Sequence, residues 1–306
     1  MIKLATVIPR TQELAIQEKK YNLQLAEMTA GRVQIKTYYG GSAGDDATVM
    51  RKMRVGQMDG SLLGTDVVSQ FVRQCTVLIA PQTFFNYRQV DAVRKALSPE
   101  FDKEAYGNGF RIMNWWDAGR VRIFSKRPIT SLADLRKGRP WLYPQSTLLK
   151  EFYSMVGATG VPIDLAEVYG GLQTDMIDTV WISSVLGVAL RWASATQYVS
   201  SAPVNIIQGA FLLRRETWES LSKEDQSALD TVVATQAEKT QEQFRAGDDR
   251  AYARLLERGM KPVAFSKLAE WQDAGRKLRQ KMVGRTYTKE LLDRVEAITN
   301  TYPGAE

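Results

Sequence analysis

Histidine does not occur in this 306-residue chain, cysteine occurs once, at Cys75, and no apolar run approaches the roughly 20 residues a bilayer core requires. Without histidine the chain lacks the commonest general base at neutral pH and the commonest ligand for transition metals. A single cysteine excludes an internal disulfide and leaves the redox compartment open. The longest weakly polar stretch, Val180 to Leu190, is broken by Ser183 and Ser184. Also missing are a phosphate loop ending in Gly-Lys-Ser/Thr, a Gly-x-Ser-x-Gly elbow and a dinucleotide Gly-x-Gly-x-x-Gly. Ser220-x-x-Lys223 matches a β-lactamase fragment without its companion motifs and reads as a helix cap. Function is therefore expected to need no metal and no cofactor. Chelator treatment should leave it unchanged, and a loss on chelation that calcium restores would overturn this.

What is present is ordinary for a compact globular protein, with 44% hydrophobic and 25% charged residues. The length exceeds what one core usually fills and points to two lobes. A formal charge of +7 raises nucleic acid as a partner, but the basic residues are scattered among acids. The densest basic run, Arg276 to Arg285, spreads around a helix and carries no aromatic platform for stacking bases. No nucleic-acid partner is expected.

The chain opens with a strand-like run from Ile2 to Ile8, a helix over about Glu13 to Thr29, and an alternating strand from Arg32 to Tyr38, which is a β-α-β unit. Asp45 and Asp46 favour a helix N-terminus, Val49, Met50 and Met53 pack it, and Asp59-Gly60-Ser61-Leu62-Leu63-Gly64 follows. The same grammar recurs over 100 residues later. Asp164 and Glu167 open a helix at capping-box spacing, and Asp178-Thr179-Val180-Trp181-Ile182 follows. One supersecondary unit is thus read as used twice, with both strand ends facing a cleft. Arg111 to Phe124 and Val204 to Leu213 are candidate crossings between lobes. Ser222 reads as the N-cap of a helix running to Glu257, long enough to brace both.

Trp115, Trp116, Trp141, Tyr143 and Trp181 lie at predicted strand ends or crossings. Core packing is the ordinary reading of each. If the segment after Pro140 is extended, Trp141 and Tyr143 point to one face and could line a cleft.

These pieces resemble the substrate-binding subunits of tripartite ATP-independent periplasmic (TRAP) transporters. The resemblance is carried by Gly31-Arg32-Val33-Gln34-Ile35, the run from Gly44 to Gly60, Ser125-Lys126-Arg127-Pro128-Ile129, Leu132-Ala133-Asp134-Leu135, and above all Glu167-Val168-Tyr169 through Ile177-Asp178. It covers nearly the whole chain. It implies a two-lobed periplasmic-binding-protein-like α/β fold with hinge crossings and a long connecting helix, and delivery of a captured solute to a membrane permease. One departure stands out: family members commonly carry a carboxylate-clamping arginine at the position that, counted from Asp134, is Trp141 here. A second family arginine falls at Val121, flanked by Arg120 and Arg122; either substitutes, or their alternation turns both away.

The resulting expectations are a lobe of 1–118 plus 207–247 and a lobe of 119–206 plus 248–306. Function is solute capture in the inter-lobe cleft rather than catalysis. The solute is a small organic acid with an apolar or aromatic body, because an indole at Trp141 can stack and donate one hydrogen bond but offers no charged fork. The expected site is Trp141, Trp116, Tyr143 and Trp181, with Thr65, Asp117, Ser183 and Gln208 as polar contacts and Arg120 or Arg122 as charge partners. TRAP permease subunits are the partners, the protein is monomeric, and its location is periplasmic, with a signal peptide in the full-length gene. The alternatives are a carboxylate-dependent cytoplasmic enzyme on a similar frame and a solute sensor for a signalling partner.

Overall fold

The structure, a computed structural model, describes residues 1–10 and 12–304. Its strands are β1 (Ile2–Ala5), β2 (Ile35–Tyr38), β3 (Gly60–Gly64), β4 (Phe110–Ser125), β5 (Trp141–Leu142), β6 (Val161–Pro162), β7 (Thr179–Ser183), β8 (Tyr198–Ser200), β9 (Asn205–Arg214) and β10 (Lys261–Val263). The chain divides into two compact units. Unit 1 comprises Met1–Val72, Pro99–Trp116 and Gly209–Gln243, and unit 2 comprises Arg73–Ser98, Asp117–Gln208 and Phe244–Glu306. The passages at Trp116, Gln208 and Gln243 fall inside β4, β9 and the helix Lys223–Glu257, and another falls at Pro99 inside the helix Tyr87–Gly107.

In unit 1, β1 pairs in parallel with β2, Ile2 opposite Ile35, and with β3, Leu4 opposite Gly60. β3 pairs antiparallel with β9, Gly64 opposite Gly209. The helix between β1 and β2 spans Gln12–Thr29, and Asp45 caps the helix Asp46–Arg54 by accepting the Thr48 N–H at 2.8 Å. Removal of apolar surface from water drives the assembly. Ile2, Leu4, Leu25 and Ile35 pack with Phe211, Leu213, Leu229, Val232 and Val233 in one cluster. The last three sit at helical i, i+3, i+4 spacing, one stripe of the long helix. Gly209 is dictated by close approach: a Cβ there would lie 2.1 Å from Cζ2 of Trp116 and 2.4 Å from the Leu63 carbonyl.

In unit 2, β7 lies antiparallel to β4, with Val121 opposite Ser183 and Ile123 opposite Trp181. β8 pairs with β4 and with β10, and β5 pairs in parallel with β6. Because opposed residues share a face, Phe124, Val180 and Ile182 turn together into a cluster with Val168, Leu172, Ile177, Trp192 and Trp141. The capping box expected at Asp164 and Glu167 does not form. Asp164 makes no capping hydrogen bond, and a short 3-10 turn, Leu165–Glu167, precedes the helix Val168–Gln173. A reciprocal box stands instead at Ser131 and Asp134.

Candidate functional site

The middle of β4 brings charged side chains into the interior of unit 2. Asp117 is 1% exposed, and its carboxylate accepts from Arg94 Nη2 at 2.7 Å and from Arg245 Nε and Nη2 at 3.1 and 2.7 Å. Both arginines also hold Asp91, Arg94 at 3.1 Å and Arg245 at 2.9 and 2.6 Å. Two helices supply these groups by periodicity. Tyr87, Asp91 and Arg94 fall at i, i+4 and i+7 of one, and Arg245, Asp248, Asp249 and Tyr252 at i, i+3, i+4 and i+7 of the other. Burial alone would push the Asp91 carboxyl up, but hydrogen bonds and charge from Arg245, with Arg94, hold it below the usual aspartate range. Burial likewise disfavours the Arg245 cation, and Asp91 and Asp117 outweigh it, so its pKa is raised.

Arg120 and Arg122 are both engaged by the protein. The Arg120 guanidinium lies 4.5 Å from the Tyr87 ring centroid and pairs with Asp249. Arg245 approaches the same ring at 4.4 Å. Arg122 donates from Nη1 to the carbonyls of Ser200 and Ser201 and lies 3.8 Å from the Tyr252 ring. Burial lowers the Arg122 pKa, and its Nε is buried with no acceptor among the described residues.

Asp248 ties three segments together. Its Oδ2 accepts the Arg120 N–H at 2.9 Å and its Oδ1 the Val185 N–H at 3.0 Å. Gly119, at φ +97°, leaves room for it, since a Cβ would lie 2.5 Å from Asp248 Cγ and 2.8 Å from Ser183 Cβ. Burial raises the Asp248 pKa against the pull of those two N–H groups. A carboxyl whose folded pKa exceeds its unfolded value contributes stability below the unfolded pKa and loses it as pH rises through the folded one. Wild-type stability is therefore expected to carry a component that falls as pH rises above about 4, absent in Asp248→Asn. Denaturant titrations of both proteins across that range check this; parallel profiles would refute it.

The remaining expected residues fall in several places. Trp181 packs on Phe152, Tyr153 and Trp271, with ring centroids 5.6, 6.0 and 6.1 Å away. Its Nε1 and the Ser183 and Ser184 hydroxyls are buried with no hydrogen-bond partner among the described residues. Gln208 donates to the Leu78 carbonyl at 3.2 Å. Thr65 and Trp116 belong to unit 1, Thr65 buried and Trp116 lying against Gly209. Trp141 lies in the interior of unit 2. It is 5% exposed in the apolar cluster of unit 2, edge-on to Trp192 at 5.0 Å, and its Nε1–H goes to the Ile163 carbonyl at 2.9 Å. The indole donor assigned to the solute is thus spent on the backbone. Half-buried Tyr143 lies 5.8 Å from the Trp141 ring. Asp117, Arg120, Arg122 and Ser183 come together. The sequence reading missed their partners Tyr87, Asp91, Arg94, Arg245, Asp248 and Asp249.

Residues 4–286 match the family model of the bacterial extracellular solute-binding proteins, family 7. The chain belongs to this family. It is a solute-binding protein of the TRAP type, a family whose members bind small solutes outside the cytoplasm and work with TRAP permease subunits. Among its relatives are the ectoine/5-hydroxyectoine-binding periplasmic protein of Ruegeria pomeroyi and the sialic acid-binding periplasmic protein of Vibrio cholerae. The first is 22% identical over 81% of this chain and 73% of the relative, and the second 22% identical over 79% of each. A TRAP periplasmic solute binding protein from Xanthobacter autotrophicus, solved with bound β-D-galacturonate, superposes with a TM-score of 0.89. It is 18% identical and is covered over 99% of its length by 97% of this chain. One from Anaerococcus prevotii with bound D-glucuronate also gives 0.89, at 16% identity and 99% coverage of both chains. At these identities the structural likeness establishes the α/β fold.

Proposed function

We propose that this protein captures a small hydroxylated organic acid in the periplasm and delivers it to a TRAP membrane permease as a monomer, catalysing no reaction. The family match over residues 4–286 carries the reading. The solute class is supported by relatives and neighbours named for sialic acid, 2,3-diketo-L-gulonate, galacturonate and glucuronate, which join a carboxylate to several hydroxyls. The expected apolar or aromatic body drew chiefly on an indole at Trp141 whose N–H here bonds the Ile163 carbonyl, which weighs toward hydroxylated acids. In unit 2, Arg94, Arg120, Arg122 and Arg245 already serve carboxylates or carbonyls. Recognition there falls on neutral groups, the Ser183 hydroxyl and the Trp181 N–H, both buried with no hydrogen-bond partner among the described residues. Buried polar groups are almost always hydrogen-bonded, so a solute hydroxyl is the natural complement of each.

A thermal-shift panel of D-glucuronate, D-galacturonate, other sugar acids and aromatic acids tests this. A ligand at 100 times its dissociation constant stabilises the native state by about 2.7 kcal/mol, enough for a clear rise in Tm. Sugar acids are expected to give the shift and to be recovered unchanged. A shift confined to aromatic acids would overturn the solute class, and product formation would overturn the non-catalytic reading.

A further inference from the structure

Asp59 and Asp178 stand 119 positions apart, and each makes the same three backbone contacts. The Asp59 N–H donates to the Lys3 carbonyl at 2.9 Å, its Oδ2 accepts the Lys3 N–H at 2.8 Å, and its carbonyl accepts the Arg214 N–H at 2.7 Å. The Asp178 N–H donates to the Arg139 carbonyl at 3.0 Å, its Oδ1 accepts the Arg139 N–H at 3.0 Å, and its carbonyl accepts the Lys126 N–H at 2.9 Å. Each carboxylate also accepts a threonine hydroxyl, Thr217 at 2.9 Å and Thr179 at 2.8 Å. The registers agree around them. Leu4 opposes Gly60 as Pro140 opposes Thr179, and Gly60 opposes Leu213 as Thr179 opposes Ser125. Both strands then run straight into short helices, β3 into Thr65–Val68 and β7 into Ser184–Ala189.

We infer that the Asp59 and Asp178 carboxylates are equivalent register pins of a duplicated strand unit, and that Asp178 is the positioning residue that sets Trp181 and Ser183 on their face of β7. An aspartate that binds both backbone groups of one residue in the segment beside it, Lys3 in β1 or Arg139 just before Pro140 and β5, admits one alignment. A slip of one residue would move every side chain of β7 to the opposite face, carrying Trp181 away from Phe152, Tyr153 and Trp271 and Ser183 away from Gly119. Asp178 also bonds Arg127 Nε at 3.4 Å, but the pin needs only an oxygen acceptor, so charge is not essential to it. The consequence for solute rests on the function proposed above; the pin itself does not.

The test is amide hydrogen exchange of Thr179–Ser183 in the full chain. Asp178→Ala is expected to speed exchange of these amides at least tenfold while β1 and β2 stay protected, and Asp178→Asn, which keeps the acceptor oxygen, to restore wild-type protection. Asp59→Ala is expected to do to β3 what Asp178→Ala does to β7. Should Asp178→Ala fail to fold, Asp178→Glu displaces the carboxylate by one methylene and is expected to speed exchange in the same strand. Wild-type protection in the Ala and Glu variants, or exchange in Asp178→Asn as fast as in Ala, would overturn the pin. Affinity for D-galacturonate, measured alongside, separates the two readings. Faster exchange with lower affinity supports both, and faster exchange with wild-type affinity keeps the pin and removes Trp181 and Ser183 from the solute site.

Discussion

Replacing Asp117 with alanine is expected to cost about 3 to 5 kcal/mol of folding stability, because it removes one partner from a buried charge network. The carboxylate has no solvent exposure, and it accepts from Arg94, 8% exposed, and Arg245. Without it Arg94 keeps, among the described residues, only Asp91 as a carboxylate partner, and its Nη1 is already buried with no acceptor among them. Two controls give the effect its meaning. Asp249→Ala removes a carboxylate that is 62% exposed from its pairing with Arg120, and a partner so well solvated should cost about 1 kcal/mol or less. The double variant Asp117→Leu with Arg94→Met should recover part of the loss, since apolar replacement of a whole buried pair removes the desolvation cost as well as the attraction. Urea or guanidinium unfolding measures all three. A loss below about 1 kcal/mol for Asp117→Ala would mean that water reaches the network and that its charges are screened.

That network shows where reading from sequence stops. Helix and strand placement was legible wherever one element's own pattern decided it. Asp45 caps its helix as expected, the Asp225 N–H bonds the Ser222 hydroxyl at 3.1 Å at the start of the long helix, and β4 and β9 lie where apolar runs had marked crossings. The strand unit read as repeated rested on Asp59 and Asp178, which each follow a helix and lead into a strand. The charged cluster was not visible. Tyr87, Asp91 and Arg94, or Arg245, Asp248 and Asp249, have the spacing of a solvated helix face, and only the opposing element shows that they meet β4 in the interior. The segment Arg73–Ser98 lies in unit 2 although the helix it enters continues to Gly107, so the passage at Pro99 coincides with no end of an element. Asp164 and Glu167 had capping-box spacing, but a 3-10 turn occupies the segment and the reciprocal geometry is lost.

Trp141→Ala is expected to cost about 3 to 5 kcal/mol, the range for truncating a large aromatic side chain in a core. The side chain packs edge-on to Trp192 and beside Tyr143, donates to the Ile163 carbonyl, and its own backbone carbonyl accepts the Tyr153 hydroxyl at 3.1 Å. Trp141→Phe keeps an aromatic ring in the core and removes the donor. It gives up the N–H together with a net three heavy atoms of the indole and leaves the Ile163 carbonyl unpaired, so a loss of about 1 to 3 kcal/mol is expected, less than for alanine. It also separates core from site. If the indole only fills unit 2, the folded Phe variant should bind a sugar acid found in the screen as tightly as wild type. If the family's position for a carboxylate clamp is still a solute contact here, the Phe variant should bind at least tenfold more weakly while remaining more stable than the alanine variant. Chemical denaturation and calorimetry on the same two variants decide between these outcomes. The buried N–H on Ile163 favours the first, because one indole donor cannot serve a backbone carbonyl and a solute with full strength.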